Sequence, residues 1–236
     1  MNKELGFVKD MFDKIAPRYD FLNRLLSLRQ DTMWRRQMVD AAELSEDSQI
    51  LDVACGTCDV ALEVASRPKD PARTRIMGVD FSHGMLTLGK AKLKKCGNKN
   101  INLVNGNALG LPLPSNWADA VFIAFGIRNI MDRRGALTEF FRVLKPGGRV
   151  VILELTTPEK GLLRKIYLGY FQKILPRIGA FFSKDASAYT YLPESVLKFP
   201  PSREFSRLIK STGFDNIRFK PMTFGIVTLF VGTKKL

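Results

Sequence analysis

The sequence predicts an α/β protein with a doubly wound, mostly parallel sheet, and three observations carry that prediction. From residue 49 onward, short apolar runs (QILDVAC, TRIMGVD, INLVNGN, ADAVFIAF, GRVVILEL) alternate with amphipathic stretches such as MLTLGKAKLKK and RGALTEFFRVL. Strands separated by helix-length segments are what parallel pairing requires. The first run ends in a glycine-bearing turn, ACGTCD, directly ahead of a helical pattern, and the second ends in an acid, Asp80. Adjacent strand ends of this kind form ligand crevices in open α/β sheets.

Ahead of the sheet, Phe7, Met11, Phe12, Ile15, Tyr19, Leu22, Leu25 and Leu26 fall near helical spacing. Pro17 lies among them, and proline lacks the N–H that continues a helix, so an interruption is predicted there. DTMWRRQMVDAAEL predicts a second short helix. These make a helical segment of about 45 residues at the start of a single domain spanning 1–236. KPGG at 145–148 predicts the end of one helix and the launch of the next strand.

The alternation then breaks at about residues 160–200. No acid occurs from Gly161 through Lys184, while Leu162, Leu163, Ile166, Tyr167, Tyr170, Phe171 and Ile174 are apolar, which predicts a basic amphipathic insertion. REFSRLIKSTG predicts a helix, and FDNIRF and GIVTLFVG predict two closing strands.

Composition narrows the class. With 236 residues, 45% hydrophobic and 25% charged, the chain has enough apolar material for one substantial core. No run approaches the roughly 18 uninterrupted apolar residues of a spanning helix. Three cysteines, an odd number, and an N-terminus without a signal-like apolar core predict a cytoplasmic protein rather than a disulfide scaffold. The 37 Lys+Arg against 23 Asp+Glu give a formal charge of +14, which suits nucleic acid, an anionic membrane or an anionic small molecule without choosing among them.

The turn at Cys55–Cys58 admits three readings. A redox pair also sits between strand and helix. A zinc site needs about four ligands, and only Cys96 and the single histidine, His83, remain without a paired spacing, so no metal is expected. In the third reading Gly56 lets a ligand approach the main chain, Thr57 lies beside it, and Asp80 accepts hydrogen bonds from ribose hydroxyls. The turn lacks the G-x-G-x-x-G of dinucleotide sites, so a nucleoside without phosphates, such as S-adenosylmethionine, fits better. The cysteines are then small apolar fillers.

Asp52, a carboxylate in an apolar strand, needs partners, either the turn backbone or the donor's ammonium. Asp59 falls in a first helical turn, as cap or ligand. Asn107, placed at the end of the third strand, offers donor and acceptor to an adenine edge, or is a plain loop asparagine. His83 reads as helix-start surface.

The stretches VKDMFDKIAPRYDFLNRLLS, DTMWRR, DVACGT, VDFSHGML, GNALGLPLP, FGIRN, RVLKPGG, YFQKILPRIG and AYTYLPES resemble the ubiquinone/menaquinone biosynthesis C-methyltransferases. FGIRN, AYTYLPES and FDKIAPRYD are the specific ones. The resemblance implies a Rossmann-like S-adenosylmethionine-dependent methyltransferase whose seven-stranded sheet has its last strand antiparallel. It implies methylation of a ring carbon of a polyprenylated quinol, demethylmenaquinol or the equivalent benzoquinol of ubiquinone synthesis. It places Thr57, Asp80, Asn107 and Ala108 at the donor. Cys58 stands where the family usually has glycine, and Phe230 where histidine is common.

Arg128 and Asn129 follow the fourth strand and are the predicted catalytic pair, with Arg128 stabilising a developing phenolate and Asn129 orienting water or ring. The plainer reading has Arg128 paired with a carboxylate to hold its loop. Tyr189 and Tyr191 are expected to shape the acceptor pocket, or simply to pack. A base-methylating enzyme usually carries a Pro-Pro-aromatic turn where this chain reads FGIRN, so nucleic acid is not expected as a partner. A non-catalytic binding module is the rival from another class. The basic insertion predicts peripheral contact with an anionic membrane at its inner face; a homo-oligomer is left open.

Overall fold

In the computed structural model, which describes residues 3–67, 73–98, 100–158, 161–169 and 187–235, one sheet organises the chain. Its strands are β1 (Gln49–Val53), β2 (Arg75–Asp80), β3 (Ile101–Asn105), β4 (Ala118–Ala124), β5 (Leu144–Leu155), β6 (Asp215–Met222) and β7 (Val227–Thr233). They lie in the order β3-β2-β1-β4-β5-β7-β6. The pairs among β1 to β5 are parallel, and β7 runs antiparallel to both β5 and β6. The chain builds outward from β1 on one side and from β4 on the other, so the direction of winding reverses between them, where such sheets open a crevice.

Helices α1 (Lys3–Leu26), α2 (Gln30–Asp40), α3 (Asp59–Ala65), α4 (His83–Lys95), α5 (Arg133–Val143), α6 (Leu162–Gly169), α7 (Ser187–Leu197) and α8 (Ser202–Ser211) complete the described elements. Successive strand residues point to opposite faces, and the central strands are apolar on both. Ile50, Phe122 and Val151 join Trp34, Met38 and Val64 in one core layer, toward α2 and α3. Leu51, Ile123 and Ile152 join Leu137, Phe140 and Phe205 in the other, toward α5 and α8.

Two expectations need correction. α1 runs unbroken through Pro17. It is tied down on both sides of the proline: Asp13 accepts from the Gly84 amide at 3.0 Å and from the Ser82 hydroxyl, and Asp20 accepts from Thr57 Oγ1 at 2.6 Å and Lys92 Nζ at 2.7 Å. Tertiary anchors thus outweigh one lost helical hydrogen bond. The KPGG segment lies inside β5 rather than before it. Gly147 takes φ +81°, its amide donates to the Lys234 carbonyl at 2.8 Å, and the β4/β5 register shifts between Ala118 and Ala120. Of the basic insertion, α6 presents Arg164 and Lys165 to solvent, whereas Lys173, Arg177 and Lys184 lie outside the described residues.

Cys55 and Cys58 are free and buried. A Cβ at Gly78 would sit 2.9 Å from the Cys55 sulfur, and one at Gly89 would sit 2.7 Å from the Cys58 sulfur. The thiols therefore fill the space that two glycines leave between the turn, β2 and α4. The neighbouring Cys58 and burial push the Cys55 thiol well above its ordinary range, which disfavours a reactive thiolate. Replacing both cysteines by alanine should cost about 1–2 kcal/mol of stability for the lost buried volume. Ligand binding at the turn should remain largely intact with or without reductant, and a titration that showed strict dependence on thiol redox state would contradict the packing role.

Candidate active site

β1 enters the crevice through Asp52, which is 1% exposed and accepts from the Ala61 amide at 3.2 Å. The chain then turns with Ala54, Gly56 and Cys58 all at positive φ (52°, 53° and 72°). Glycine takes this conformation freely, and the other two hold it against their own Cβ. Asp80 secures the turn. One carboxylate oxygen accepts from the Gly56 amide and the other from the Ser82 amide, each at 2.8 Å. Burial pushes this carboxyl above its usual range, and the amides of Ser82 and Gly56 work against that. A carboxylate has about four acceptor sites, so capacity remains for hydroxyl donors from a ligand.

Burial likewise raises Asp52, to about 8, opposed by the Ala61 amide. The two carboxyls differ in that Asp80 is held by two turn amides and Asp52 lies deeper with one. Thr57 donates to Asp20 of α1, and Lys92 Nζ reaches Asp20, Asp59 and Thr57 Oγ1, the last at 3.4 Å. Asp59 also meets Arg35 at 3.4 Å, and Arg35 meets Asp31 at 2.6 Å. Asp59 is therefore an ion-pair hub rather than a cap.

Two openings adjoin here. A cleft of about 30 Å³ at the β1 turn is lined by Asp52, Gly56, Thr57, Asp59 and their neighbours. A larger, mostly apolar cavity of about 220 Å³ has walls from α1, α2, α6 and α7, including Phe12, Leu22, Trp34 and Tyr167, with Arg128 and Tyr191 at its polar side. Tyr19, Arg35 and Phe125 line both. Burial raises the Tyr19 phenol above its ordinary value, so it keeps its proton and can donate a hydrogen bond.

FGIRN forms the floor between the two. Phe125 takes φ +57°, and a short 3₁₀ turn covers Ile127–Asn129. Arg128 is buried and paired. Its guanidinium donates to Glu154 Oε1 at 2.8 Å, to Ser195 Oγ at 3.3 Å and to the Phe125 carbonyl, while its amide donates to Glu154 Oε2 at 3.0 Å. Glu154 is fully buried. The geometry thus has Arg128 holding its loop through a carboxylate. Asn129 Oδ1 accepts from the Tyr191 hydroxyl at 3.0 Å, bringing two predicted site residues together.

Other predicted residues are placed differently. Asn107 lies two residues beyond the end of β3 at Asn105, not at the strand end. It is exposed, and its Oδ1 accepts from the Leu109 amide at 3.0 Å, the local turn that asparagine side chains make readily. Ala108 packs against the core layer that contains Val79. His83 is exposed at the first residue of α4, whose cap is Ser82. Tyr189 belongs to α7, and its side chain lies outside the described residues.

Sequence reasoning missed Glu154, Tyr19, Asp20 and Arg35. An acid in the apolar run GRVVILEL was a usable signal for Glu154, because buried carboxylates need partners.

The model of the ubiE/COQ5 methyltransferase family matches residues 1–234. The chain belongs to this family. It is 49% identical to the ubiquinone/menaquinone biosynthesis C-methyltransferase UbiE of Geobacter sulfurreducens over 97% of this chain and 89% of that one. It is 45% identical to the demethylmenaquinone methyltransferase of Deinococcus radiodurans, over 97% and 92%. Among solved structures, a SAM dependent methyltransferase from Aquifex aeolicus shares the fold with a TM-score of 0.63 at 17% identity, covering 84% of this chain and 88% of that one.

The protein is thus an S-adenosylmethionine-dependent methyltransferase, and the turn suits that donor chemically. Gly56 places no Cβ over the cleft, where Tyr19 Cε1 would be the nearest atom at 4.0 Å, and the carboxyls of Asp52 and Asp59 line it, which suits a ligand rich in hydroxyl and ammonium donors. The cleft is far below the roughly 300 Å³ of a small-molecule pocket, so it must open to fill; Tyr19 of α1 forms part of its wall, and Asp20 ties α1 to Thr57 beside it.

Asp52 yields a pH prediction. Native Asp52 keeps a proton up to about pH 8, while the unfolded chain releases it near the ordinary value of 3.8. Its contribution therefore makes stability fall as pH rises through that window. Asp52→Asn should flatten the fall in melting temperature between those limits. Calorimetric unfolding across pH checks this, and an unchanged slope would mean that Asp52 is already ionised.

Proposed function

We propose that this protein transfers the methyl group of S-adenosylmethionine to a ring carbon of a polyprenylated quinol, either demethylmenaquinol or the corresponding benzoquinol. The observation that carries the reading is the apolar cavity that meets the donor-side cleft at Tyr19, Arg35 and Phe125. A prenylated aromatic ring suits apolar walls with a few polar groups at one side. Family membership and the named relatives support the same acceptor class.

When bound, the donor supplies an electrophilic methyl on a sulfonium. Asp52, Gly56, Thr57 and Asp80 are the residues assigned to hold it, with Asn107 and Ala108 flanking the adenine side. An ortho or para hydroxyl of the quinol gives its proton to water at the polar side of the cavity, the ring carbon takes the methyl as the sulfonium C–S bond breaks and leaves a neutral thioether, and the ring proton is then lost to water to restore the aromatic ring. Tyr19 donates a hydrogen bond to the quinol oxygen, and the buried Arg35 adds positive potential where phenolate charge develops. Arg128 acts through position. Paired to Glu154, it fixes the turn that carries Asn129, and Asn129 with Tyr191 bounds the ring. The apolar walls exclude water, which strengthens each of these contacts.

The direct test supplies methyl-labelled donor with a short-tailed demethylnaphthoquinol kept reduced. Mass spectrometry should place the label on a ring carbon; label on oxygen, or no product from any quinol, would refute the reaction. Tyr19→Phe should lower turnover on the order of a hundredfold, the scale for one preorganised donor, with donor affinity little changed and partial recovery at higher pH. Wild-type turnover in that variant would remove Tyr19 from the chemistry. Arg128→Ala should lose about 3–5 kcal/mol of stability by stranding Glu154. Arg128→Met combined with Glu154→Gln should recover most of that loss in a denaturant titration if the pair is structural; no recovery would require another role for the arginine.

A further inference from the structure

Two loops beside the acceptor cavity hold large apolar side chains out in solvent at a conformational cost. Between α1 and α2, Leu28 and Arg29 are both left-handed, with φ of 51° and 63°, and Leu28 is 79% exposed. Between β6 and β7, Thr223 and Phe224 are both left-handed, with φ of 44° and 58°, and Phe224 is 78% exposed. Glycine or asparagine would hold either conformation more easily, and a β-branched threonine at positive φ is a true outlier. Nothing in the folding of the loops explains why apolar tips stand there.

The two loops are joined. Thr223 Oγ1 donates to Gln30 Oε1 at 2.8 Å and accepts from Trp34 Nε1 at 2.9 Å, which fixes the second loop against the start of α2, next to the first. Both tips also lie two residues from side chains that pack in one cluster, Leu26 behind Leu28 and Ile226 beyond Phe224. Leu26 and Ile226 both line the acceptor cavity. The tips therefore flank its rim.

Within the segments that carry the tips, and in α6, the exposed charge has one sign. In 21–37, 161–169 and 218–226, the segments that carry the tips and α6, the sole acid is Asp31, which is buried against Arg35. Arg24, Arg29, Arg164, Lys165 and Lys220 are exposed in the same segments. Apolar tips ringed by cations match an interface of acyl chains beneath anionic headgroups.

We propose that Leu28 and Phe224 form a membrane-docking wedge that seats the mouth of the acceptor cavity on an anionic bilayer. This rests on the quinol reading for its purpose, since a cavity of about 220 Å³ takes a ring and leaves a long prenyl tail in the lipid. The docking itself rests on the loops and their charge. It moves the membrane contact from the middle of the basic insertion to the α1–α2 and β6–β7 loops.

The test is co-sedimentation of the full chain with vesicles of phosphatidylglycerol and phosphatidylcholine, and with phosphatidylcholine alone. Leu28→Asn and Phe224→Asn are suitable variants because asparagine tolerates the left-handed conformation. Each should lower partitioning to the anionic vesicles by about tenfold, the scale of one large apolar side chain withdrawn from an apolar medium. Arg29→Gln should weaken binding less and reduce its salt dependence. Turnover of a short-tailed, water-soluble quinol should be unchanged in the asparagine variants, while a long-tailed quinol presented in vesicles should be methylated more slowly.

Wild-type partitioning by the double variant would overturn the wedge. So would a change in oligomeric state on light scattering without loss of vesicle binding, which would assign the tips to a second copy of the chain. Loss of vesicle binding in the variants, with no turnover of any quinol by the wild type, would keep the wedge and refute the substrate.

Discussion

The crevice depends on one carboxylate. Asp80 leaves the end of β2 and accepts amide hydrogens from Gly56 and Ser82, fastening the β1 turn to the strand beside it. Without that clasp, three consecutive alternate residues at positive φ have little to hold them, and the N-terminal end of α3 would lose its place over the crevice. The same strand end reaches α1, because Ser82 and Gly84 both donate to Asp13. One buried acid thus sets the turn, and its neighbours in sequence set the helix that covers it. This is how a sheet with a common topology acquires a particular site.

α1 has two duties that pull against each other. It supplies Met11, Phe12 and Leu22 to the apolar cavity, which needs it in place. It also sets Tyr19 and Asp20 over the donor turn, which needs it to yield before a nucleoside can enter. Its anchors suit that requirement. Asp20 is held by a hydroxyl and an ammonium that are only partly buried, contacts that water replaces at modest expense. The apolar contacts with the rest of the cavity wall are absent from that exchange, so the helix can shift locally while the sheet stays whole.

Much of this was legible in the sequence, and the failures share a cause. The strands, the glycine turn and the acid at the end of β2 were readable because each is written in a short stretch, as alternating apolar residues or a turn residue next to a helix start. The break expected at Pro17 was wrong because the ties that carry α1 across it come from residues 82, 84, 57 and 92, far away in the chain. Asn107 was placed at the end of the third strand because it closes the run INLVNGN, whereas pairing with β2 ends at Asn105. Arg128 was read as catalytic with a loop-holding ion pair as the plainer alternative, and the carboxylate it pairs with, Glu154, is 26 residues away, a lone acid in an otherwise apolar stretch of strand. Local pattern shows where a side chain stands; what faces it is decided by the fold.

Whether the turn clasped by Asp80 holds the methyl donor is decided by calorimetric titration of S-adenosylmethionine into Asp80→Ala and the wild type, with folding of the variant verified by its melting transition. Affinity in the variant should be weaker by about 1.5–3 kcal/mol, the scale of hydrogen bonds to a charged group. An unchanged affinity in a folded variant would put the donor elsewhere and contradict that placement.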